Sequence, residues 1–140
     1  MKRFLPAVIC LLLAAACASV EVAPGLSATP GPAFTVADGW YRNERWQAQY
    51  PDGWRVISGA ATDNLSVIFA APDDCTLILL SETEAPAPQP PGCTGETITE
   101  RQTVERDGTT IYTLWLMEAD QADAVRGVIQ RVLDSIAAAA

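Results

Sequence analysis

Thiols and carboxylates are the side chains of this chain that are able to do chemistry. Its 140 residues include four cysteines and 17 aspartates and glutamates, but no histidine. A histidine general base, a Ser-His-Asp or Cys-His nucleophile and a histidine metal site are therefore excluded. A hydrolase that uses carboxylates alone, as glycosidases do, is the remaining enzymatic alternative. Since no acid and base stand out as a pair, we expect neither an enzyme nor a cofactor.

The N-terminus combines two cations with a short apolar run and a cysteine. Lys2 and Arg3 precede apolar residues 4–16, which end in small side chains directly before Cys17. This order is typical of an export signal, and residues 13–17 (LAAAC) resemble the lipobox of bacterial lipoproteins. The resemblance implies that residues 1–16 are removed and that the Cys17 thiol receives a diacylglycerol. The only lysine, Lys2, then leaves with the signal, so Schiff-base chemistry and a P-loop lysine are excluded.

Two alternatives for this segment remain open. Ordinary signal cleavage at small-x-small sites beside Ala16 would release a soluble protein. An uncleaved anchor would need about 20 apolar residues, whereas this run is shorter and contains Pro6. Lipidation of Cys17 is the preferred interpretation, and it places the protein at the cell membrane, lipid-anchored and extracytoplasmic, in the periplasm or at the cell surface.

Cys75 and Cys93 are the thiols left for the folded part, because Cys10 lies in the signal and Cys17 would be acylated. Export favours a disulfide between them, and closing a loop of this size stabilises a fold by roughly 3 kcal/mol. The enclosed residues 84–92 (EAPAPQPPG) are rich in proline and predict an irregular loop. Two buried free thiols are the alternative, whereas two cysteines alone do not complete a metal site.

Acidic residues outnumber basic ones by 17 to nine. Lys2 and Arg3 belong to the signal, so the mature chain keeps seven basic residues and a net charge of about −10. Such a charge favours solubility and argues against nucleic acid or an anionic membrane surface as partner. The membrane is expected as a partner through the lipid on Cys17, together with a protein partner of unknown identity.

Composition divides the remainder into two parts. Residues 17–37 are rich in Ala, Pro, Gly, Ser and Thr without a period, and they predict a flexible tether. Residues 38–140 suffice for one small domain. Apolar patterns within it predict six strands, which cover residues 46–50, 54–57, 66–71, 75–80, 96–106 and 109–117. The turn Pro51-Asp52-Gly53 makes the second of these strands the expected neighbour of the first.

The most specific local signal is the turn Asp107-Gly108, which predicts a two-residue hairpin. Counting outward from it places Val104 opposite Ile111 and Ile98 opposite Met117. The strand after the turn is apolar on both faces and should be central, with the more polar strand before it nearer the edge. Asp120 is the expected cap of a helix over residues 121–138. Apolar residues at helical spacing should close one side of the sheet, with loops or the segment around Trp40 on the other.

Residues 45–56 (RWQAQYPDGWRV) are similar to the aromatic-x-apolar-x-Tyr-Pro-x-Gly-Trp opening of PsbP-like domains. An apolar strand at residues 67–69 and a final helix ending near residues 133–136 follow in the expected order, so the resemblance spans about 100 residues. It implies an antiparallel sheet flanked by helices, used as a binding or assembly module in photosystem subunits and a nuclear-import factor. The expected fold is therefore α+β, a PsbP-like sandwich of about six antiparallel strands against a C-terminal helix.

Five aromatic residues lie within fifteen positions: Trp40, Tyr41, Trp46, Tyr50 and Trp54. Such a density could form a stacking platform for a sugar ring or another flat ligand. Trp40, Tyr41 and Trp54 are the candidate binding residues. Packing in the core is the alternative, especially for Trp46, Tyr50 and Trp54.

Glu82, Glu84 and Glu96 approach the proposed disulfide from both sides and could bind calcium. Solvated loop charges explain them more simply, and we expect no metal site. The sequence thus predicts a membrane-anchored bacterial lipoprotein whose extracytoplasmic domain is a binding or assembly module. The alternatives are a small-molecule or glycan binder that uses the aromatic cluster, and a secreted soluble domain.

Overall fold

The computed structural model describes residues 34–58 and 66–140, and these fold as an α+β domain. Cys17, the predicted signal 1–16 and the predicted tether up to residue 33 lie outside the described residues. The described elements are, in chain order, β1 (Phe34–Ala37), β2 (Trp40–Asn43), β3 (Trp46–Gln49), β4 (Arg55–Ser58), β5 (Ser66–Ala70), β6 (Leu77–Ser81), β7 (Thr97–Arg106), β8 (Thr109–Glu118), α1 (Ala122–Ser135) and β9 (Ala137–Ala138).

The strands form two antiparallel sheets instead of the single sheet of about six strands that the sequence predicted. One sheet has the order β1-β2-β3-β9 and the other has the order β4-β5-β6-β8-β7. The expectation that β3 and β4 are neighbours is therefore wrong. Both edges of β3 are already paired, with β2 and with β9, so the chain after Pro51-Asp52-Gly53 enters the second sheet and pairs with β5.

An Asp-Gly turn forms one hairpin in each of the two sheets. Asp107 and Gly108 join β7 to β8 with positive φ angles of 48° and 80°, and the predicted register from Val104↔Ile111 to Ile98↔Met117 is confirmed. Asp38 and Gly39 have φ angles of 54° and 77° and join β1 to β2 in the same way. Strand β1 therefore includes the last four residues of the segment predicted as a tether.

The main core lies between the five-stranded sheet on one side and the four-stranded sheet with α1 on the other. Its members come from both sheets and from the helix. The predicted positions are confirmed for β8, which is central and buried, and for β7, which is an edge strand. The largest fully buried side chains are Trp46, Tyr41, Phe69, Ile78, Leu80, Ile111, Met117 and Ile136.

The helix is shorter than predicted at both ends. A 3-10 turn, Ala119–Gln121, precedes α1, and Gln121 instead of Asp120 occupies the N-cap position, without a capping hydrogen bond from its side chain. Ile136 is extended, and Ala137 and Ala138 then pair with Gln47 and Trp46 as strand β9. The chain leaves the helix because the free edge of β3 offers backbone partners. Among the described residues, no helix has the length and apolar character needed to cross a membrane.

The position of α1 leads to a stability prediction. Leu133 is 3% exposed within the main core, so Leu133→Ala should lower the free energy of unfolding by roughly 2 to 5 kcal/mol through lost burial and a cavity. Arg126→Ala is the control, since it removes only exposed ion pairs, with Glu100 and Asp123, and its effect should stay below about 1 kcal/mol. Urea unfolding measures both. An unchanged midpoint for Leu133→Ala would show that the helix does not close the core.

Candidate functional site

The aromatic cluster predicted from the sequence divides into core and surface residues. Tyr41 is 1% exposed and Trp46 is fully buried, with their ring centroids 5.2 Å apart. The indole N–H of Trp46 donates to Glu82 at 3.2 Å. Tyr41 therefore belongs to the core and its ring is closed to a ligand, which corrects its assignment to a binding surface. The expectation that Trp46 packs in the core is confirmed.

Trp40 lies on the opposite face of the four-stranded sheet and is partly exposed. The guanidinium of Arg42 stands over its ring, 5.4 Å from the centroid. The Nε of Arg42 donates to the side-chain oxygen of Gln47 at 3.0 Å. A cation held over an indole in this way is an attractive contact, so the three side chains form one polar aromatic surface.

Trp54 and Tyr50 line a cleft of about 330 Å³ between the turn after β3 and helix α1. Both are half-buried and pack against the main core. The full lining consists of Gln49, Tyr50, Pro51, Asp52, Trp54, Val128, Arg131 and Val132. Of the predicted binding residues, the structure thus places Trp54 in a concave site and Trp40 on the neighbouring sheet face.

Local sequence fixes the wall of this cleft. Gly53 has a φ of +77°, a conformation that other residues rarely adopt, and it lets the Trp54 amide donate to the Pro51 carbonyl at 3.1 Å. The backbone N–H of Gln49 donates to the hydroxyl of Ser135 at 2.8 Å, which ties β3 to the end of the helix. Each side of the cleft is therefore held by a hydrogen bond, one within the turn and one between β3 and the end of the helix.

Arg131 supplies the positive charge of the cleft, and sequence analysis missed it. Within the residues that the structure describes, Arg131 forms no ion pair. Asp52 and Gln49 also line the cleft. Arg131 lies 77 positions after Trp54 in the chain. The helical pattern places it beside the buried Val132 on α1, but it does not indicate that this part of the helix lies next to the turn at Trp54.

A second concavity lies on the outer face of the five-stranded sheet, beside the proline-rich loop. It measures about 410 Å³ and is lined mainly by aliphatic and proline side chains, among them Ile57, Ile68, Leu77 and Pro88. The charges on its rim are Arg55 and Asp74, which pair with each other. A ligand site normally offers a few polar groups that fix the ligand's orientation. Because the rim charges are already paired, this groove is a weaker candidate than the cleft at Trp54.

The loop beside that groove is closed by a disulfide between Cys75 and Cys93, as the sequence predicted. It crosses the outer face of the five-stranded sheet, where Ala85 and Cys93 pack against a second apolar cluster of Cys75, Leu77, Leu79, Leu114 and Leu116. Of the two covers expected for this face, the loop is found there. The segment around Trp40 instead belongs to the four-stranded sheet, which packs with the helix on the main core. Gly92 permits the close approach, since a Cβ there would lie 2.6 Å from the Asp73 carbonyl oxygen.

Two carboxylates hold the ends of the disulfide loop. Asp73 accepts hydrogen bonds from the amides of Cys75 and Thr76 and from the Thr76 hydroxyl. Glu118 accepts from the amides of Thr94 and Gly95 and from the Thr94 hydroxyl. Partial burial works to raise the pKa of Asp73, but these hydrogen bonds outweigh it and the pKa is lowered. The hydrogen bonds from the Thr94 and Gly95 amides lower the pKa of Glu118.

The calcium hypothesis finds no support in the carboxylates that prompted it. Glu82 accepts from the Trp46 indole and pairs with Arg45, so its oxygens are engaged at the junction of the two sheets. Over residues 34–58 and 66–140, no three acidic or cysteine side chains are grouped as a metal site would require.

Comparison with known proteins does not identify a family for this chain. No protein-family model, curated protein or solved structure matches this chain. The residues of the cleft and their contacts are therefore the grounds for a proposal of function.

The two loop carboxylates lead to a prediction on pH. Their ordinary pKa values are 3.8 for Asp73 and 4.5 for Glu118, and both are lowered in the folded protein. A lowered pKa stabilises the fold above the ordinary value, and this contribution is lost as the pH falls through the folded value. The free energy of unfolding should therefore fall as the pH drops below about 5.

Glu118→Gln should be less stable than the wild type at pH 7 and should lose less stability on acidification. Glu105→Gln is the matched control, because the Glu105 side chain is exposed and, within the described residues, accepts no hydrogen bond. Urea unfolding at a series of pH values measures these differences. A wild-type pH dependence in Glu118→Gln would show that the carboxylate does not hold the loop.

Proposed function

We propose that this protein is a membrane-anchored bacterial lipoprotein whose extracytoplasmic domain is a binding module. The anchor rests on the sequence, in which a short apolar signal ends in small residues before Cys17. The disulfide Cys75–Cys93 fits export, since such bridges persist outside the reducing cytoplasm. The ligand site is the cleft formed by Trp54, Tyr50 and Arg131.

A single observation carries the choice of ligand site, namely an aromatic cleft with convergent polar groups. Trp54 and Tyr50 present apolar rings, while Arg131 provides N–H donors and Asp52 provides acceptor oxygens. A sugar has an apolar C–H face that stacks on an aromatic ring and hydroxyls that both donate and accept. A saccharide or a similar ring with hydroxyl groups is therefore the ligand class that this lining fits.

The PsbP-like relationship belongs to the same proposal. Its support is the segment at residues 45–56, whose Tyr-Pro-x-Gly-Trp turn forms one wall of the cleft, together with antiparallel sheets and a C-terminal helix. In this interpretation the turn serves as a structural signature and also shapes the ligand site.

A role in assembly is the second candidate, favoured by the exposed edge of the four-stranded sheet. Phe34 and Val36 of β1 are 47% and 43% exposed, and they lie on the same face of an edge strand. Exposed apolar side chains on a sheet edge are suited to contact with another chain. The two roles are compatible, because β1 and the cleft occupy different parts of the four-stranded sheet.

The anchor is tested by Cys17→Ser. Two acyl chains give stable attachment where one gives only marginal binding, so the wild type should sediment with membranes and the variant should be mislocalised or released. Mass spectrometry of the native N-terminus is the second measurement. An unmodified thiol on an N-terminal Cys17, or cleavage at another site, would refute lipidation and favour a secreted soluble domain.

The ligand site is tested by Trp54→Ala in the disulfide-bonded protein. The probes are glucose, N-acetylglucosamine, maltose and cellobiose, and the readouts are titration calorimetry and the indole N–H signals in NMR. Loss of a stacking contact should weaken binding about tenfold, as expected for roughly 1.4 kcal/mol. Tyr112→Ala, a partly exposed aromatic on the other sheet's outer face, should bind as the wild type does. Equal binding by Trp54→Ala, or no response to any probe, would refute the site.

A further inference from the structure

We propose that the ligand is a neutral glycan chain and that it occupies two adjoining subsites. The first is the cleft at Trp54, and the second is the outer face of the four-stranded sheet around Trp40. This inference rests on the proposed function and adds to it the length and charge of the ligand.

Strand alternation creates the second subsite. Successive side chains of a strand point to opposite faces, so burial of Tyr41 and Ala48 in the core turns their neighbours outward. The register pairs Trp40 with Gln49 and Arg42 with Gln47 across β2 and β3. The outer face therefore carries a compact patch of one indole, one guanidinium and two amides.

The patch is continuous with the cleft because Gln49 belongs to both. Gln49 lies opposite Trp40 in the sheet, where facing side chains have their Cβ atoms about 4.5 to 5.5 Å apart, and it also lines the cleft with Trp54. The Tyr50 amide donates to the Gly39 carbonyl at 3.0 Å, which holds the start of β2 against the cleft wall. A ligand that fills the cleft and extends along the sheet meets Trp40 next.

The second subsite is held in place before a ligand arrives. Arg42 stacks over the ring of the partly exposed Trp40 and donates through Nε to Gln47, so the exposed part of the indole and the remaining guanidinium N–H groups are left for a ligand. Fixing side chains in advance lowers the entropy lost on binding. A flat aromatic surface with fixed polar groups matches a sugar ring with hydroxyls at its edge.

The charges of the protein favour a neutral glycan over an acidic one. The two subsites carry two guanidiniums, of Arg42 and Arg131, and one carboxylate, of Asp52. Their net charge is only +1, and together they can donate hydrogen bonds to hydroxyl groups and accept them. The mature chain carries a net charge of about −10, which repels a polyanion as it approaches. A neutral glycan therefore fits better than a polymer with a carboxylate on every sugar.

The test measures affinity against chain length in the disulfide-bonded protein. The probes are cello-, xylo- and chito-oligosaccharides of one to six sugars, together with oligogalacturonides as the acidic series. For at least one neutral series, the affinity should rise about tenfold or more between two and six sugars, as expected for roughly 1.4 kcal/mol from a second stacking contact. Trp40→Ala should remove this gain and leave the disaccharide affinity unchanged, whereas Tyr112→Ala should keep it.

Trp40 lies outside both buried clusters, so Trp40→Ala should not disturb the core. Arg42→Ala is a second variant, which should reduce the same gain in affinity without altering the aromatic ring. An affinity that is independent of length, equal losses for short and long chains in Trp40→Ala, or tighter binding of oligogalacturonides would overturn the inference. In each of these cases Trp54→Ala would still weaken binding, so the proposed function would stand. Failure of all saccharides to bind would overturn both proposals.

Discussion

Burial of Trp46 is the constraint on which the rest of this structure depends. Its side chain is fully buried, with its ring against Tyr41 and its indole N–H on Glu82 directly after β6. Glu82 also pairs with Arg45, so one carboxylate at the end of β6 binds Arg45 and Trp46, two neighbouring residues at the start of β3. A buried indole needs a partner for its N–H, and this contact fixes how the two sheets meet.

That constraint decides which aromatic residues are left for function. With Trp46 inward, alternation along β3 turns Gln47 and Gln49 outward. The same alternation along β2 buries Tyr41 and leaves Trp40 partly exposed on the outer face. An aromatic-rich segment thus serves two purposes, since one half forms the core and the other half forms a surface beside the Trp54 cleft.

The parts of the fold that the sequence predicted well are those determined by local chemistry. Asp107-Gly108 fixes a hairpin register because only a few residues accept positive φ, and the apolar stripe of α1 follows from helical periodicity. The equivalent Asp38-Gly39 turn was missed because the strand before it, β1, has only four residues and directly follows a segment with the composition of a tether.

Two sheets in place of one, and a helix that ends at Ser135, could not be predicted because they depend on distant partners. The edge of β3 is taken by Ala137 and Ala138, whose sequence gives no preference for strand over helix. The candidate site divides in the same way. Trp54 and its turn could be recognised from a local motif, whereas Arg131 becomes part of the site only through the packing of α1 against β3.

The disulfide loop explains how so small a domain can leave one sheet face free for binding. The helix and the four-stranded sheet cover one face of the five-stranded sheet, and no second helix among residues 34–58 and 66–140 covers the other. A proline-rich loop can cover apolar residues such as Leu79 and Leu114 only if its ends are fixed, because it has few backbone hydrogen bonds of its own. The Cys75–Cys93 bridge and the carboxylates of Asp73 and Glu118 supply that restraint. The outer face of the four-stranded sheet is not needed to cover the core, and its polar and aromatic side chains remain available to a ligand.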